Sequence, residues 1–311
     1  MTILFAAAIA LALLGAETAK DPIRAKWERV IEHAAFSPRD TAEDIVYDGK
    51  MWISNAYHNG NVLVRDLWNS ADGLTWTLVN DATPYDGYSE MVVYQDKMWA
   101  IKGSVWASTD GKTWTQVAEK TPFGTRGYGE AVVWRGRIWQ LGAGADIWST
   151  ADGVNWTKEV EVAAYGNRGA AAVAVYQDKL WVMGGRFNRA NNPPEKGYKT
   201  MTTLADVWCS ADGKAWDCVT ERAGWAPRHW FIARQYAGKL FIIGGHDNVN
   251  SANFGDTWYT EDGRTWRQVV CETCWAPRHE PTVYVFDGSL WVVGGNVWPL
   301  MNDAWRLTLT R

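Results

Sequence analysis

An all-β fold, a six-bladed β-propeller with four-stranded blades, is predicted by three observations on this 311-residue sequence. The motif Trp-x-(Ser/Thr)-x-Asp-Gly-x-x-Trp occurs five times, at Trp68 to Trp76, Trp106 to Trp114, Trp148 to Trp156, Trp208 to Trp216 and Trp258 to Trp266. Six tight-turn signals, at Asp48-Gly49, Gln95-Asp96, Arg135-Gly136, Gln177-Asp178, Ala237-Gly238 and Asp287-Gly288, each separate two short β-rich runs. The chain ends supply the two parts of one more unit: a lone strand at Trp27-Glu28-Arg29-Val30, and a last unit that stops after Asp303-Ala304-Trp305-Arg306-Leu307.

Taken in order, Ile3 to Ala16 is an apolar run followed by small and then polar residues, which reads as a signal peptide over 1–19. The lack of Lys or Arg before it leaves an uncleaved anchor as the alternative. The propeller then occupies 20–311. In each unit an inner hairpin comes first, and its turn chemistry fixes the strand boundaries. An Asp two residues before a Trp follows at Asp66, Asp146, Asp206, Asp256 and Asp303, with Ser104 as the exception. The Asp-Gly turn and a short outer strand close the unit. In that turn the Asp side chain can bond its own amides while Gly accepts positive φ, and the tryptophans pack between sheets. These Asp and Trp residues are therefore read as structural. Closure of the ring assigns the N-terminal strand to the C-terminal blade, because a propeller must satisfy its open edges.

A net charge of -4 and a pI near 5.8 exclude bulk electrostatic recruitment of nucleic acid or anionic membrane. After signal cleavage no membrane span is expected. The protein is then periplasmic or secreted, and is read as a monomer. Four cysteines fall in the last third. Cys209 and Cys218 flank one Asp-Gly hairpin, and Cys271-x-x-Cys274 sits in a connection, so two local disulfides are expected in an oxidising compartment. A redox or metal role for Cys271 and Cys274 stays open.

These features resemble the kelch family over roughly residues 22 to 311. Gly-Gly ends the second strand at Gly184-Gly185, Gly244-Gly245 and Gly294-Gly295, Asp-x-Trp follows, and Pro-Arg precedes the first strand at Pro38-Arg39, Pro227-Arg228 and Pro277-Arg278. The first three units depart from the pattern, with Ser54-Asn55-Ala56, Lys102-Gly103 and Gly142-Ala143 in place of the double glycine. The Ser-x-Asp-Gly-x-x-Trp turn is also similar to the Asp box of sialidases. Among kelch propellers the resemblance extends to the central domain of galactose oxidase and to the sialic-acid mutarotases.

Alternation of strand direction brings the connections entering strand one and leaving strand two to one face, where binding chemistry is usually placed. Aligned on their inner turns, the units carry Arg39, Asp86, Arg126, Arg168, Arg228 and Arg278 at one position near the channel mouth. Five arginines around one axis suit a carboxylate or phosphate, so Arg39, Arg126, Arg168, Arg228 and Arg278, with Arg186, are candidate ligand-binding residues. The kelch pattern offers a structural role for the same arginines. Trp225, Trp275 and Trp298 are candidate stacking surfaces, with Tyr57, Tyr88, Tyr128 and Trp230 at related loop positions. The long loop Arg186 to Ala205 reads as a lid.

His229 and His279 follow two of the arginines, while His246 and His58 follow the second strands of units five and one, with unit six between them in a closed ring. His229 and His279 are candidate acid–base residues, and His58 and His246 join them as a candidate metal site. Four positions beyond the aligned arginines come Glu43, Glu90 and Glu130, then Ala172, Ile232 and Thr282. Glu90 and Glu130 are candidate catalytic carboxyls. The expected function is binding, with or without isomerisation, of a small anionic carbohydrate such as a sugar acid. A copper oxidoreductase similar to galactose oxidase, a sialidase-like hydrolase and a non-catalytic protein scaffold are the alternatives.

Overall fold

The computed structural model describes residues 22–58, 62–187 and 202–310, and every helix-or-strand element in them is a strand. The expected signal peptide over 1–19 and most of the expected lid loop lie outside the described residues. Six blades surround one axis. Their inner strands are Glu43–Tyr47, Glu90–Tyr94, Glu130–Trp134, Ala172–Tyr176, Ile232–Tyr236 and Thr282–Phe286, which define blades 1 to 6. Each pairs antiparallel with the following strand through a two-residue turn, as in Tyr47↔Lys50 and Tyr94↔Lys97. Both turn residues take positive φ, even at Gln95 (48°) and Asp96 (56°), which matches the right-handed twist of the flanking strands.

Blade 6 is assembled from both chain ends. Thr282–Phe286, Ser289–Gly295 and Met301–Thr310 form three strands, and Arg24–Ile31 lies antiparallel against the last, with Trp27 opposite Leu307. A short segment from the end of blade 5, Val270–Cys271, adds parallel pairing to Arg24 and Ala25.

The repeated Asp-Gly turn is a closed hydrogen-bonded unit. In blade 1, Ser70 Oγ accepts the Gly73 N–H at 2.8 Å, while Asp72 Oδ1 accepts the N–H groups of Leu74 and Thr75 at 2.8 and 2.7 Å. The glycine is needed for a second reason. A Cβ at Gly73, Gly111, Gly153, Gly213 or Gly263 would stand 2.1–2.6 Å from a ring atom of Trp291, Trp52, Trp99, Trp139 or Trp181. Each of those tryptophans belongs to the second strand of the preceding blade, so its ring seats on the bare glycine of the next. Blade 6 has no such turn, and the blade before it carries Phe241 where the others carry tryptophan. That junction is filled by Phe241, Tyr259, Val283, Trp27 and Trp275.

The cysteine expectation requires correction. Cys209 lies opposite Asp217, and Cys218 lies opposite Trp208. Cross-strand partners share a face, so this register sends Cys209 and Cys218 to opposite faces of the blade. Cys209 is buried, Cys218 is exposed, and both are free thiols. Cys271 and Cys274 are also free thiols, but they touch; burial first, then the neighbouring Cys274 thiol, pushes Cys271 up to about 12.

Candidate functional site at the channel mouth

The five aligned arginines are committed to the blades. Arg278 holds Asp303 through bonds of 2.6 and 3.0 Å, Arg228 holds Asp256 at 2.6 and 2.9 Å, and Arg39 holds Asp66 at 2.7 and 3.0 Å. Arg168 with Asp206 and Arg126 with Asp146 repeat the fork. Further donors go to the carbonyls of Gly294, Gly244, Gly184 and Ala143. The guanidinium groups of Arg39, Arg168, Arg228 and Arg278 are essentially fully buried. With Arg126 they tie the start of every blade but the second to its third strand, and their donors are spent there rather than on a ligand. Trp225 and Trp275 are likewise buried between blades, and Trp298 is exposed but does not line the mouth. Arg186 does reach the mouth, its guanidinium 5.3 Å over the Tyr128 ring and 4.8 Å over Trp230.

Two residues beyond the aligned position, every blade places a non-glycine residue in the left-handed region: Thr41 (φ 50°), Tyr88 (61°), Tyr128 (63°), Ala170 (54°), Trp230 (55°) and Glu280 (49°). Such φ values are strained, most of all for a β-branched or bulky side chain, and persist only where surrounding structure imposes them. At Ala170, Trp230 and Glu280 backbone hydrogen bonds between blades hold them. Ala170 N donates to Tyr128 O at 2.9 Å, Trp230 N to Ala170 O at 3.0 Å, and Glu280 N to Trp230 O at 2.9 Å, linking blade to blade around the axis. All six residues line one pocket. Sequence reading placed Tyr88, Tyr128 and Trp230 at related loop positions but missed the six as a set, since nothing in Thr, Tyr, Tyr, Ala, Trp and Glu signals positive φ. Their constant offset from the aligned position was the available signal.

Below this ring sit the three glutamates that open the inner strands of blades 1 to 3. Glu43, Glu90 and Glu130 all line the pocket. Burial, then repulsion from Glu130 and Glu90, holds Glu43 well above the usual carboxyl range, and burial followed by Glu130 does the same for Glu90. Glu90 Oε1 accepts from Gln140 Nε2 at 3.0 Å. Glu130 is raised by burial too, but Arg234, whose Nη1 is 3.9 Å away, moderates the rise to about 7. Arg234 reaches across the channel from blade 5 to Asp44 at 2.8 Å. Among the carboxyls of this pocket, burial therefore raises Glu43, Glu90 and Glu280 well above the usual range, while Glu130 is raised only to about 7.

The histidines meet the ring at Trp230. His279 stacks on that indole at 5.0 Å and 19°, and the His229 ring lies 4.0 Å away on it. His246 is 5.7 Å from His229 and 5.0 Å from His279 between ring centroids. Burial, then the charge of Arg186, depresses His229 to about 2, and burial followed by His246 brings His279 to about 3. His229 is completely enclosed, which removes it from contact with a ligand and corrects its candidacy as an acid–base residue. His58 stands at the end of its strand opposite Arg39. Among the described residues the four histidines do not converge on a metal position; the group of three donors that does is Asp40, His279 and Glu280. No helix in the described residues is long and apolar enough to cross a membrane.

The family model described as the DUF6242 beta propeller domain matches residues 21–125, about a third of the 311-residue chain. A search of curated proteins returns no match.

Proposed function

We propose that the channel mouth binds a small, uncharged, polyhydroxylated ligand of the sugar type and exchanges protons with it, opening and reclosing a cyclic hemiacetal. The observation that carries this reading is the split among three glutamates that line one pocket: burial raises Glu130 to about 7, and holds Glu43 and Glu90 well above the usual carboxyl range. Carboxyls whose environments push their pKa values apart supply a base and an acid in one site. The aromatic rings of Tyr88, Tyr128 and Trp230 on the rim offer flat faces for a sugar ring.

The ligand class differs from the anionic one that the arginine alignment suggested. The five aligned arginines are spent in the blades, although Arg186 stands over the rim rings of Tyr128 and Trp230, and a sugar acid would enter beside Glu43, Glu90, Glu130 and Glu280. Repulsion by Glu130, once ionised, and the cost of desolvating the ligand's own carboxylate disfavour that entry. In the proposed cycle the Glu130 carboxylate takes the proton of the anomeric hydroxyl while Glu90 or Glu43 donates its proton to the ring oxygen. The bond from C1 to the ring oxygen breaks and the aldehyde forms. Rotation about the bond next to C1 and the reverse proton transfers close the other anomer, so atoms and charge balance without a co-reactant.

The test is anomer interconversion followed by exchange NMR across neutral hexoses, amino sugars and sugar acids, with binding measured by saturation transfer. Wild type is expected to accelerate interconversion of a neutral sugar, and Glu130→Gln to lower that rate by about 10²–10⁴-fold with little change in binding. Binding without acceleration would leave a carrier function. Selective binding of sugar acids would overturn the uncharged-ligand reading.

A further inference from the structure

We propose that Asp40, His279 and Glu280 form a binding site for one divalent first-row transition-metal ion, at the junction of blades 6 and 1 and open to the channel-mouth pocket. One donor atom from each residue lies within 4.8 Å of the other two. The His279 Nε2 to Glu280 Oε2 separation is 3.8 Å. The two carboxyl groups face each other across that triangle, and Arg186 is the cation whose charge acts on Glu280.

The surrounding hydrogen bonds decide which atoms are free to act as ligands. Asn253 Nδ2 donates to the Asn296 carbonyl at 2.9 Å, which fixes the amide and leaves Asn253 Oδ1 as an acceptor. That oxygen receives His279 Nδ1 at 2.7 Å and His246 Nδ1 at 2.8 Å, so in the neutral ring both protons sit on Nδ1. The Nε2 lone pair of His279 therefore faces the two carboxyls. Asn296 Nδ2 in turn donates to Asp40 Oδ2 at 2.6 Å. One pair of asparagines thus orients two of the three ligands, which is the outer-shell arrangement that metal-binding histidines and carboxylates use.

A second observation concerns the other carboxyl oxygen of Glu280. Glu280 Oε1 is enclosed and has no hydrogen-bond donor. Leaving a buried carboxyl oxygen unpaired is costly, and an ion supplies what is missing. Asp40 is almost fully buried, so the approach is from the pocket, which Glu280 and Thr41 line. One imidazole with two carboxylates suits Mn²⁺ or Zn²⁺ better than a soft ion. The backbone supports the placement, since Thr41 and Glu280 are both held in the left-handed region.

Mn²⁺ alone is the probe, because it competes poorly for the Cys271 and Cys274 thiols. Chelator-treated full-length protein is titrated with Mn²⁺ by calorimetry with no organic ligand present, and crystals soaked in Mn²⁺ are measured at an anomalous wavelength. The expected result is one ion per chain, with an anomalous peak between the three side chains. Asp40→Asn and His279→Ala should each weaken binding about tenfold or more. Asn253→Ala, which touches no metal, should weaken it by about 10–100-fold. Should the first two variants fail to fold, Glu280→Gln carries the same comparison, because its Oε1 has no hydrogen bond to lose. The proposal is overturned by absence of binding at millimolar Mn²⁺, by a peak elsewhere, or by affinity unchanged in Glu280→Gln. Sugar turnover is not part of this readout, so failure of one proposal leaves the other standing.

Discussion

Replacing Arg278 by alanine is expected to destabilise the whole disc by about 3–5 kcal/mol, the usual cost of removing one partner of a buried ion pair. The guanidinium donates to Asp303 at 2.6 and 3.0 Å, to Gly294 O at 2.8 Å and to Ala276 O at 3.0 Å. Its side chain is 0% exposed and that of Asp303 only 3%. Truncation leaves a carboxylate in the blade with Trp305 Nε1, 2.7 Å away, as its remaining side-chain donor. At roughly 2 °C per kcal/mol for a chain of this size, the melting temperature should fall by about 6–10 °C. Thermal unfolding by circular dichroism at pH 7 reads this directly. The paired change Arg278→Met with Asp303→Leu should recover much of the loss, because a buried ion pair is replaceable by well-packed apolar groups. The protein contains its own control: blade 2 carries Asp86 at the arginine position and Ser104 at the aspartate position, so both ends of the pair are exchanged together. An Arg278→Ala protein with an unchanged melting temperature and weakened ligand binding would refute the structural assignment of the arginines.

Other expectations follow from the same packing and electrostatics. Because folding raises Glu130 from an ordinary carboxyl value to about 7, its contribution to stability is full below about pH 4.5 and is lost as pH rises through 7. The melting temperature should therefore fall from pH 5 to pH 8, by an amount corresponding to at most about 3 kcal/mol, and Glu130→Gln should flatten that slope; an unchanged slope in the variant would reject the assignment. Gly153→Ala places a Cβ 2.4 Å from the Trp99 ring at φ +76° and should destabilise by about 2 kcal/mol or more in urea titration, whereas Gly166→Ala, with open space at its Cβ and φ +78°, should cost about 1 kcal/mol. Peptide mapping after mild oxidation should find Cys209 and Cys218 alkylated as free thiols and Cys271 joined to Cys274. A Cys209 to Cys218 bridge would mean that the strand register is wrong.

The blades were legible because their turns are written in residues with one physical use. Asp72-Gly73 and its four copies carry both the amide acceptor and the bare Cα that the neighbouring tryptophan needs. The arginine–aspartate forks were also visible, since blade 2 lacks both ends at once, yet the two exceptions were read separately and the arginines assigned to a ligand. The disulfide expectation failed on parity: proximity across a hairpin is readable from spacing, but the face on which each Sγ lies depends on a register that the turn sets. Hardest to read was the left-handed ring, where Ala170, Trp230 and Glu280 are held by hydrogen bonds between blades and not by local preference. Of the mouth, Glu43, Glu90 and Glu130 share an offset that is readable in the sequence and line the pocket, whereas Thr41, Ala170 and Glu280 had no local signature.

The tryptophan seated on the glycine of the following blade gives the repeat a polarity, a key on one side and a socket on the other. A unit duplicated whole brings one of each, so an inserted copy fits both its neighbours without any compensating change. A unit cut between its second strand and its Asp-Gly turn would part the key from the socket. Only the junction before blade 6 is exempt, where Phe241 meets a blade without the turn and the N-terminal strand covers the edge. The number of blades in such a disc is thus free to change by whole units everywhere except across the point where the chain begins and ends, and that point is the one place where the ring is fastened by main-chain pairing between its two ends.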